Sequence, residues 1–264
     1  MKGSYLFLLA IVVIACDGSD PLPVVGSGVK IKAVIYRVNG GSFVTLSCQT
    51  VDWYPCANYF LDSKRTFDGE KLSITFTEAI SPDICLTSSG PARVSFELDS
   101  IPNGEYRIEL NNGHLRNGGV LKITANDVTL DLNSQDGIAI ENQTVKLAPE
   151  GTFVGYISHR SLDVQDKVNE FLDKVQDMDG VTAFNNQVPG VYSAYTIGED
   201  GKLLLLGNCG CVSESGVIFQ YKGDDEEQFI ADLDALATSY NDSMSISIYT
   251  RTKDDIDISV NSWD

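Results

Sequence analysis

Hydrophobic and polar residues alternate in short runs through the first half of the chain. Residues 31–35, 72–76 and 94–98 each carry apolar side chains at every second position, and turn residues such as Pro102-Asn103-Gly104 separate the runs. A period of two interrupted by turn signals is typical of short antiparallel strands in a sandwich or barrel. Of these two folds we expect the first, an antiparallel β-sandwich domain over residues 29–148.

The hydrophobic period changes after Pro149. Apolar residues from Val164 to Val175 and from Phe229 to Tyr240 recur at the spacing of one face of an amphipathic helix. Strands are predicted around the two helices at 152–158, 191–197, 202–206, 217–221 and 245–250. The order β-α-β-β-β-α-β predicts a ferredoxin-like α+β domain with one additional strand over residues 149–264. The fold class is therefore mainly β plus α+β.

The chain begins with the pattern of an export signal. Lys2 precedes an apolar run from Leu6 to Ala15 that is too short to span a bilayer. Val13-Ile14-Ala15-Cys16 resembles the bacterial lipobox, in which the cysteine becomes the acylated N-terminus. We predict a signal peptide over residues 1–15 and a membrane anchor on Cys16 with fatty acyl chains such as palmitate. The alternative is an ordinary signal peptide followed by an unrelated cysteine.

A polar stretch with interspersed proline and glycine follows Cys16 and predicts a lipid-anchored tether over residues 16–28. The twelve residues after Cys16 could reach at most ~40 Å. Acidic residues just after the cysteine are similar to surface-export signals of Bacteroidetes lipoproteins, whereas in enterobacteria an Asp there resembles an inner-membrane retention signal. We expect a lipid-anchored protein of the bacterial cell envelope, in the outer membrane and surface-exposed.

The charge balance limits the classes of partner that the protein can bind. The sequence has 37 acidic and 19 basic side chains, a formal net charge of −18. Nucleic acid and anionic lipid would both be repelled. The same balance is also usual for the solvated surface of a secreted protein.

Three segments carry a family resemblance. They are "DWYPCANYF" (52–60), "SPDICLTSSGPARVSFEL" (81–98) and "PNGEYRIEL" (102–110). This set is similar to motifs of a family of uncharacterised two-domain lipoproteins of Bacteroidetes, and the spacing of Cys56 and Cys85 is its most specific part. In that family the β-domain is followed by segments similar to "FVGYISHRSLDVQDKVNEFLDKV" (153–175) and "VIFQYKGDDEEQFI" (217–230), so the resemblance covers most of the mature chain loosely. It implies fold and location but no activity.

The cysteines are the most informative reactive residues. With Cys16 lipidated, five of the six remain, and in an exported protein they should pair where geometry allows. Cys56 with Cys85 is the first choice. The other disulfide candidates are Cys48, Cys209 and Cys211, and their odd number leaves one free thiol or an intermolecular bond.

Cys209-Gly210-Cys211 has three interpretations. The two thiols could form a small strained ring suited to thiol exchange. Their thiolates could hold copper or zinc, but only with further ligands that the local sequence does not offer. Alternatively, one of them bonds elsewhere, for example to Cys48, and clamps the two domains together. The structural interpretation is favoured because CxC lacks the pattern that supports a redox CxxC motif.

Other candidate chemistry is sparse. The only two histidines, His114 and His159, have no second histidine at metal-ligand spacing, and no GxSxG, HExxH, GxGxxG or Walker-type motif occurs. The acidic runs at 224–227 and 254–257 lack the spacing of a calcium loop. We predict no catalytic residue, no metal site and no cofactor.

Four aromatic residues around Cys56 could form a binding surface. Trp53, Tyr54, Tyr59 and Phe60 lie in a turn-rich segment, and flat aromatic surfaces hold sugars or peptides in many exported β-domains. They could equally pack over a disulfide as core. Because alternate strand residues face opposite sides, at most about half of the four could line one site.

Three functions are consistent with these features. The favoured one is a non-catalytic binding or adhesion module with a protein or glycan ligand, since the chain has an anchor, a tether and two compact domains. A structural subunit of an envelope assembly is the second. A thiol-redox or metal-handling protein using Cys209 and Cys211 is the third.

Overall fold

The computed structural model describes residues 22–38, 41–98, 101–159, 164–184, 188–193, 195–204, 213–250 and 256–260. The predicted lipidation site Cys16 and the pair Cys209 and Cys211 lie outside the described residues. The described part of the chain forms two sheets and two helices, so the prediction of a mainly β protein is confirmed.

The first ten strands occupy the amino-terminal region. They are β1 (Val29–Val38), β2 (Gly41–Tyr54), β3 (Phe60–Phe67), β4 (Lys71–Ile80), β5 (Gly90–Glu97), β6 (Gly104–Asn112), β7 (Leu115–Ile123), β8 (Asp127–Leu132), β9 (Ile138–Ile140) and β10 (Thr144–Lys146).

The carboxy-terminal region holds the remaining elements. They are β11 (Thr152–His159), α1 (Gln165–Gln176), β12 (Val181–Ala183), β13 (Gly190–Tyr192), β14 (Thr196–Ile197), β15 (Leu203–Leu204), β16 (Ser213–Tyr221), α2 (Glu226–Thr238), β17 (Ser245–Thr250) and β18 (Ile256–Val260).

The larger sheet has the order β15-β14-β13-β10-β8-β7-β6-β4-β3-β5-β2-β1-β9. Its alternating residues bury one face, as in β4, where Leu72, Ile74 and Phe76 are fully buried. Strand β1 also contacts β8 and β10, which are not its neighbours in the sheet. The sheet therefore curves around one hydrophobic core.

The smaller sheet has the order β12-β16-β11-β17-β18, and every pair in it is antiparallel. Both helices contribute to one core with this sheet, and Phe171 of α1 and Leu233 of α2 belong to the same buried cluster as Phe153 and Phe219 of the sheet. Asp225 caps α2 by accepting a hydrogen bond from the Gln228 N–H at 3.0 Å. The predicted amphipathic stripes therefore become the buried faces of two helices.

Strands β13 to β15 differ from the sequence-based expectation. Their residues were expected to extend the carboxy-terminal sheet, but β13 pairs in parallel with β10, and β14 and β15 follow it at the edge of the larger sheet. The Ser193 hydroxyl accepts from the Ile35 N–H at 2.7 Å and donates to the Ile35 carbonyl of β1. The smaller sheet instead includes β18, which pairs with β17 at its edge.

Strands β13 to β15 form a short insertion that follows the predicted boundary at residue 148 in sequence but belongs to the larger sheet. Tyr192, Tyr195 and Ile197 of the insertion pack with Val154 of β11, on the side of the smaller sheet away from the helices. The two core regions are joined by this small third cluster and by the bonds of Ser193.

Candidate binding surface at the disulfide end of the larger sheet

A disulfide joins Cys56 to Cys85, which is the pairing that the sequence favours first. It links the turn after β2 to the loop after β4, with a Cα–Cα distance of 5.3 Å. The Cys56 side chain is buried, whereas Cys85 is exposed. The bond therefore fastens an exposed loop to the edge of the core.

The loop at 81–89 is also held by Asn58. Its Nδ2 donates to the Ile84 carbonyl at 2.8 Å, and its Oδ1 accepts from the Leu86 N–H at 3.1 Å. Both side chains flanking Cys85 remain outside the core, with Ile84 79% and Leu86 56% exposed. The fixed backbone thus presents two aliphatic side chains to solvent.

The four aromatic residues divide into two pairs. Tyr54 and Tyr59 stack on each other with ring centroids 4.6 Å apart and pack against the core. Trp53 is 71% exposed and Phe60 49% exposed. As strand alternation predicts, half of the set faces one side, and the other half covers the core.

An irregularity in β2 precedes Trp53. The register between β2 and β5 shifts between Gln49 and Trp53. Buried Thr50 lies within this irregularity, where its hydroxyl donates to the Asp52 carbonyl and accepts from the Ala92 N–H, both at 2.9 Å. The Thr50 hydroxyl therefore bonds polar groups of both strands where the ladder is interrupted, and Trp53 keeps the outward orientation that alternation along β2 gives it.

The exposed residues lie on neighbouring strands. Trp53 of β2 pairs with Pro91 of β5, and Phe60 of β3 pairs with both Arg93 of β5 and Ile80 of β4. With strands ~4.8 Å apart, the distance from β2 to β4 is ~14 Å. We call Trp53, Phe60, Ile80, Ile84 and Leu86 the apolar platform.

The sequence identified only part of this platform. The aromatic pattern predicts Trp53 and Phe60, but it does not include Ile80, Ile84 and Leu86. The available signal was the apolar pair around Cys85 within a segment rich in Ser, Thr and Pro. An apolar residue in such a segment can equally be buried, so the pattern alone does not decide its exposure.

The amino-terminal segment passes beside the platform. Ser27 donates its backbone N–H and its hydroxyl to the Asp52 carboxylate at 2.7 and 2.5 Å. Further toward the N-terminus, the Val25 N–H donates to Asn112 Oδ1 at 2.6 Å. Residues 22–28, expected to belong to a free tether, therefore lie against the larger sheet.

The two histidines have different surroundings. His114 Nδ1 donates to the Leu22 carbonyl at 3.0 Å, so the ring holds the amino-terminal segment. His159 is completely buried at the end of β11. No metal-ligating group of three or more His, Cys, Asp or Glu side chains occurs among the residues that the structure describes.

Cys48, one of the predicted disulfide candidates, is not part of a disulfide. It is a free thiol in β2 with no exposed surface, enclosed by the core of the larger sheet. Burial raises the pKa of this thiol well above its ordinary value, because a thiolate would lose its hydration. The predicted clamp from Cys48 to Cys209 or Cys211 is therefore wrong, since Cys48 is a hydrophobic core residue.

A polar cluster lies outside the platform, on β4 and β6. Lys71 Nζ donates to Glu109 Oε2, and Asn111 Nδ2 donates to Glu109 Oε1 at 3.0 Å. These bonds, that of Lys71 first, lower the pKa of Glu109. The cluster is a partly exposed ion pair that links β4 to β6.

Comparisons with family models, curated proteins and solved structures find no match to this chain. The resemblance to two-domain Bacteroidetes lipoproteins therefore stays a prediction. Within the described residues, no helix has the length and apolar character needed to cross a membrane.

Proposed function

We propose that this chain is a lipid-anchored protein of the bacterial outer membrane that acts as a non-catalytic binding module, with the apolar platform as its contact surface. The observation that carries the proposal is the exposure of five large apolar side chains at one end of the larger sheet. Exposed apolar side chains that cluster in this way mark interaction surfaces, whereas scattered ones need no explanation.

The composition of the platform favours an apolar partner over a glycan. Three of its five side chains, Ile80, Ile84 and Leu86, are aliphatic, and Ile84 is the most exposed. Sugar rings stack on flat aromatic faces, whereas aliphatic side chains stabilise a complex mainly by burying apolar surface away from water. Of the ligand classes that the aromatic segment predicts, an apolar surface fits best.

The proposal includes a finer description of the fold. Contacts of β1 with β8 and β10 across the core support a β-sandwich over residues 29–148. The order β12-β16-β11-β17 with antiparallel pairs, and two helices on one face, supports a ferredoxin-like domain over residues 149–264. Strand β18 is then its additional strand, and β13 to β15 are an insertion between β12 and β16 that extends the sheet of the sandwich.

Two measurements test the proposal in cells that produce the full chain. The anchor is tested by membrane fractionation and by mass spectrometry of the N-terminal peptide, with Cys16→Ser as the control. We expect acylated Cys16 in the outer membrane, and release of the Cys16→Ser variant. An unmodified Cys16 in a chain that is already soluble would overturn the anchor.

The contact surface is tested with a photo-crosslinking amino acid at Ile84. The matched control is the same amino acid at Val188, which is 61% exposed and outside the platform. We expect a defined adduct, either a lipid or one protein, from position 84 only. Equal or absent adducts at both positions would show that the platform is not a contact surface.

A further inference from the structure

The platform and the exit of the N-terminal segment lie at the same end of the larger sheet. Strands β2, β4 and β6 run in the same direction. Strands β5 and β3 are parallel to each other, β2 is antiparallel to β5, and β4 is antiparallel to β3, so β2 and β4 have the same direction. Strand β6 is parallel to β4. The carboxyl ends of these three strands, at Tyr54, Ile80 and Asn112, therefore share one end. Strand β1 is antiparallel to β2 and begins there.

Hydrogen bonds fix the position of the N-terminal segment at this end. Ser27 is bound to Asp52, the residue before Trp53. Leu22, the first described residue, is bound to His114 in the turn after β6 and is 50% exposed. The chain thus reaches its first described residue at the platform end.

Only five residues, 17–21, separate Leu22 from Cys16. Six Cα steps reach at most about 20 Å. A compact domain of about 100 residues has a radius of gyration of about 13 Å, and hence a diameter larger than this reach. An anchor on Cys16 therefore leaves too little space for a folded partner between this end of the sheet and the bilayer.

The side chains of the platform suit the membrane interface. Trp is enriched where the hydrocarbon meets the headgroups, and Phe, Leu and Ile enter the boundary of the acyl chains. The net charge of −18 opposes approach to an anionic surface, so the contact favours zwitterionic lipid.

We propose that the apolar platform rests on the lipid bilayer that carries the Cys16 anchor, which orients the rest of the protein away from the membrane. This inference rests on the anchor in the proposed function. The surface that covers the platform is the bilayer itself, and a protein partner of the platform is the competing outcome.

Tryptophan quenching by brominated lipid tests this contact. The chain has two tryptophans, so Trp263→Phe leaves Trp53 as the single tryptophan, which is excited selectively over tyrosine at the red edge of its absorption. The full acylated protein is reconstituted in phosphatidylcholine vesicles with or without bromine on the acyl chains. We expect brominated lipid to reduce Trp53 emission at least twofold.

The matched control moves the fluorophore. In the same protein, Trp53→Phe combined with Val188→Trp places one tryptophan at an exposed position outside the platform. Its emission should change little with brominated lipid. Replacing both Ile84 and Leu86 by Ser in the Trp53 reporter should reduce the quenching by at least half, without loss of vesicle flotation.

The outcomes separate the two proposals. A chain that lacks acyl groups by mass spectrometry and does not float with vesicles contradicts the anchor. An acylated chain that floats, but whose Trp53 is quenched no more than the control tryptophan, overturns the membrane contact alone. A discrete protein adduct at position 84 with no lipid adduct would also overturn it and would assign the platform to a protein partner.

Discussion

Asp52 accepts two hydrogen bonds from Ser27, one from its backbone N–H at 2.7 Å and one from its hydroxyl at 2.5 Å. This pairing fixes the N-terminal segment beside Trp53, the most exposed aromatic residue of the platform. The Asp52 carboxylate therefore holds the N-terminal segment next to the candidate contact surface.

The pairing should depend on pH. The hydrogen bonds from Ser27, that of the hydroxyl first, lower the pKa of Asp52 below its usual range. A carboxyl with a lowered folded-state pKa stabilises the bound segment above its unfolded pKa of about 3.9, and this contribution is lost as the pH falls through the folded-state value. We expect proteolysis near residues 22–28 to accelerate below about pH 4.

An Asp52→Asn variant is the control for this pH dependence. It cannot lose a proton, so its cleavage near residues 22–28 should be faster at neutral pH and nearly independent of pH. Equal cleavage of both proteins across the acid range would show that the Asp52 carboxylate does not hold the segment.

The platform should contribute little to folding, and two adjacent residues of β3 test this. Phe60 is 49% exposed, whereas Leu61 is completely buried. Phe60→Ser should change the free energy of unfolding by less than about 1 kcal/mol, and Leu61→Ala should lower it by about 2–5 kcal/mol. Urea unfolding measures both, and a large loss for Phe60→Ser would make the platform part of the core.

The Cys56–Cys85 disulfide should stabilise the larger sheet. Its cysteines are 29 positions apart, and the chain-entropy model gives about 3–4 kcal/mol for a loop of that length. We expect the Cys56→Ser, Cys85→Ser double variant to lose up to this amount in urea unfolding. The same change should increase hydrogen exchange at residues 81–89, whereas exchange that stays at its original rate would mean that Asn58 holds the loop alone.

Cys48 should not react in the folded protein, because burial both shields the thiol and raises its pKa. Iodoacetamide should modify it only after unfolding. Cys48→Ser places a hydroxyl in the core and should cost about 1–3 kcal/mol. Rapid alkylation of Cys48 in the native state would contradict its position in the core.

Ser193 should be important for the attachment of β13 to β15. Its buried hydroxyl bonds both the N–H and the carbonyl of Ile35. Ser193→Ala leaves both groups without this partner and should lower the free energy of unfolding by about 1–3 kcal/mol. Ser239, whose exposed hydroxyl bonds the Leu236 carbonyl, offers a matched control. An equal effect of Ser193→Ala and Ser239→Ala would show that the Ile35 bonds add nothing.

The local pattern of apolar residues was sufficient to predict a buried face where burial follows directly from their spacing. The alternation at 72–76 predicts the buried face of β4, and the stripe from Phe229 to Tyr240 predicts the buried face of α2. It was insufficient for β13, because a short strand pairs with whichever edge the fold places near it. Strand propensity at residues 191–197 carries no information about whether that edge belongs to β10 or to β16.

By itself, the sequence determined the mainly β character, the two hydrophobic periods, and the first choice of Cys56 with Cys85 as a disulfide pair. The first two of these depend on spacing along the chain. Only the tertiary structure decided that Cys48 is enclosed in the core, and that Trp53 and Phe60 join Ile80, Ile84 and Leu86 on one exposed surface. Those properties depend on the order and register of the strands, which bring together residues that are distant in sequence.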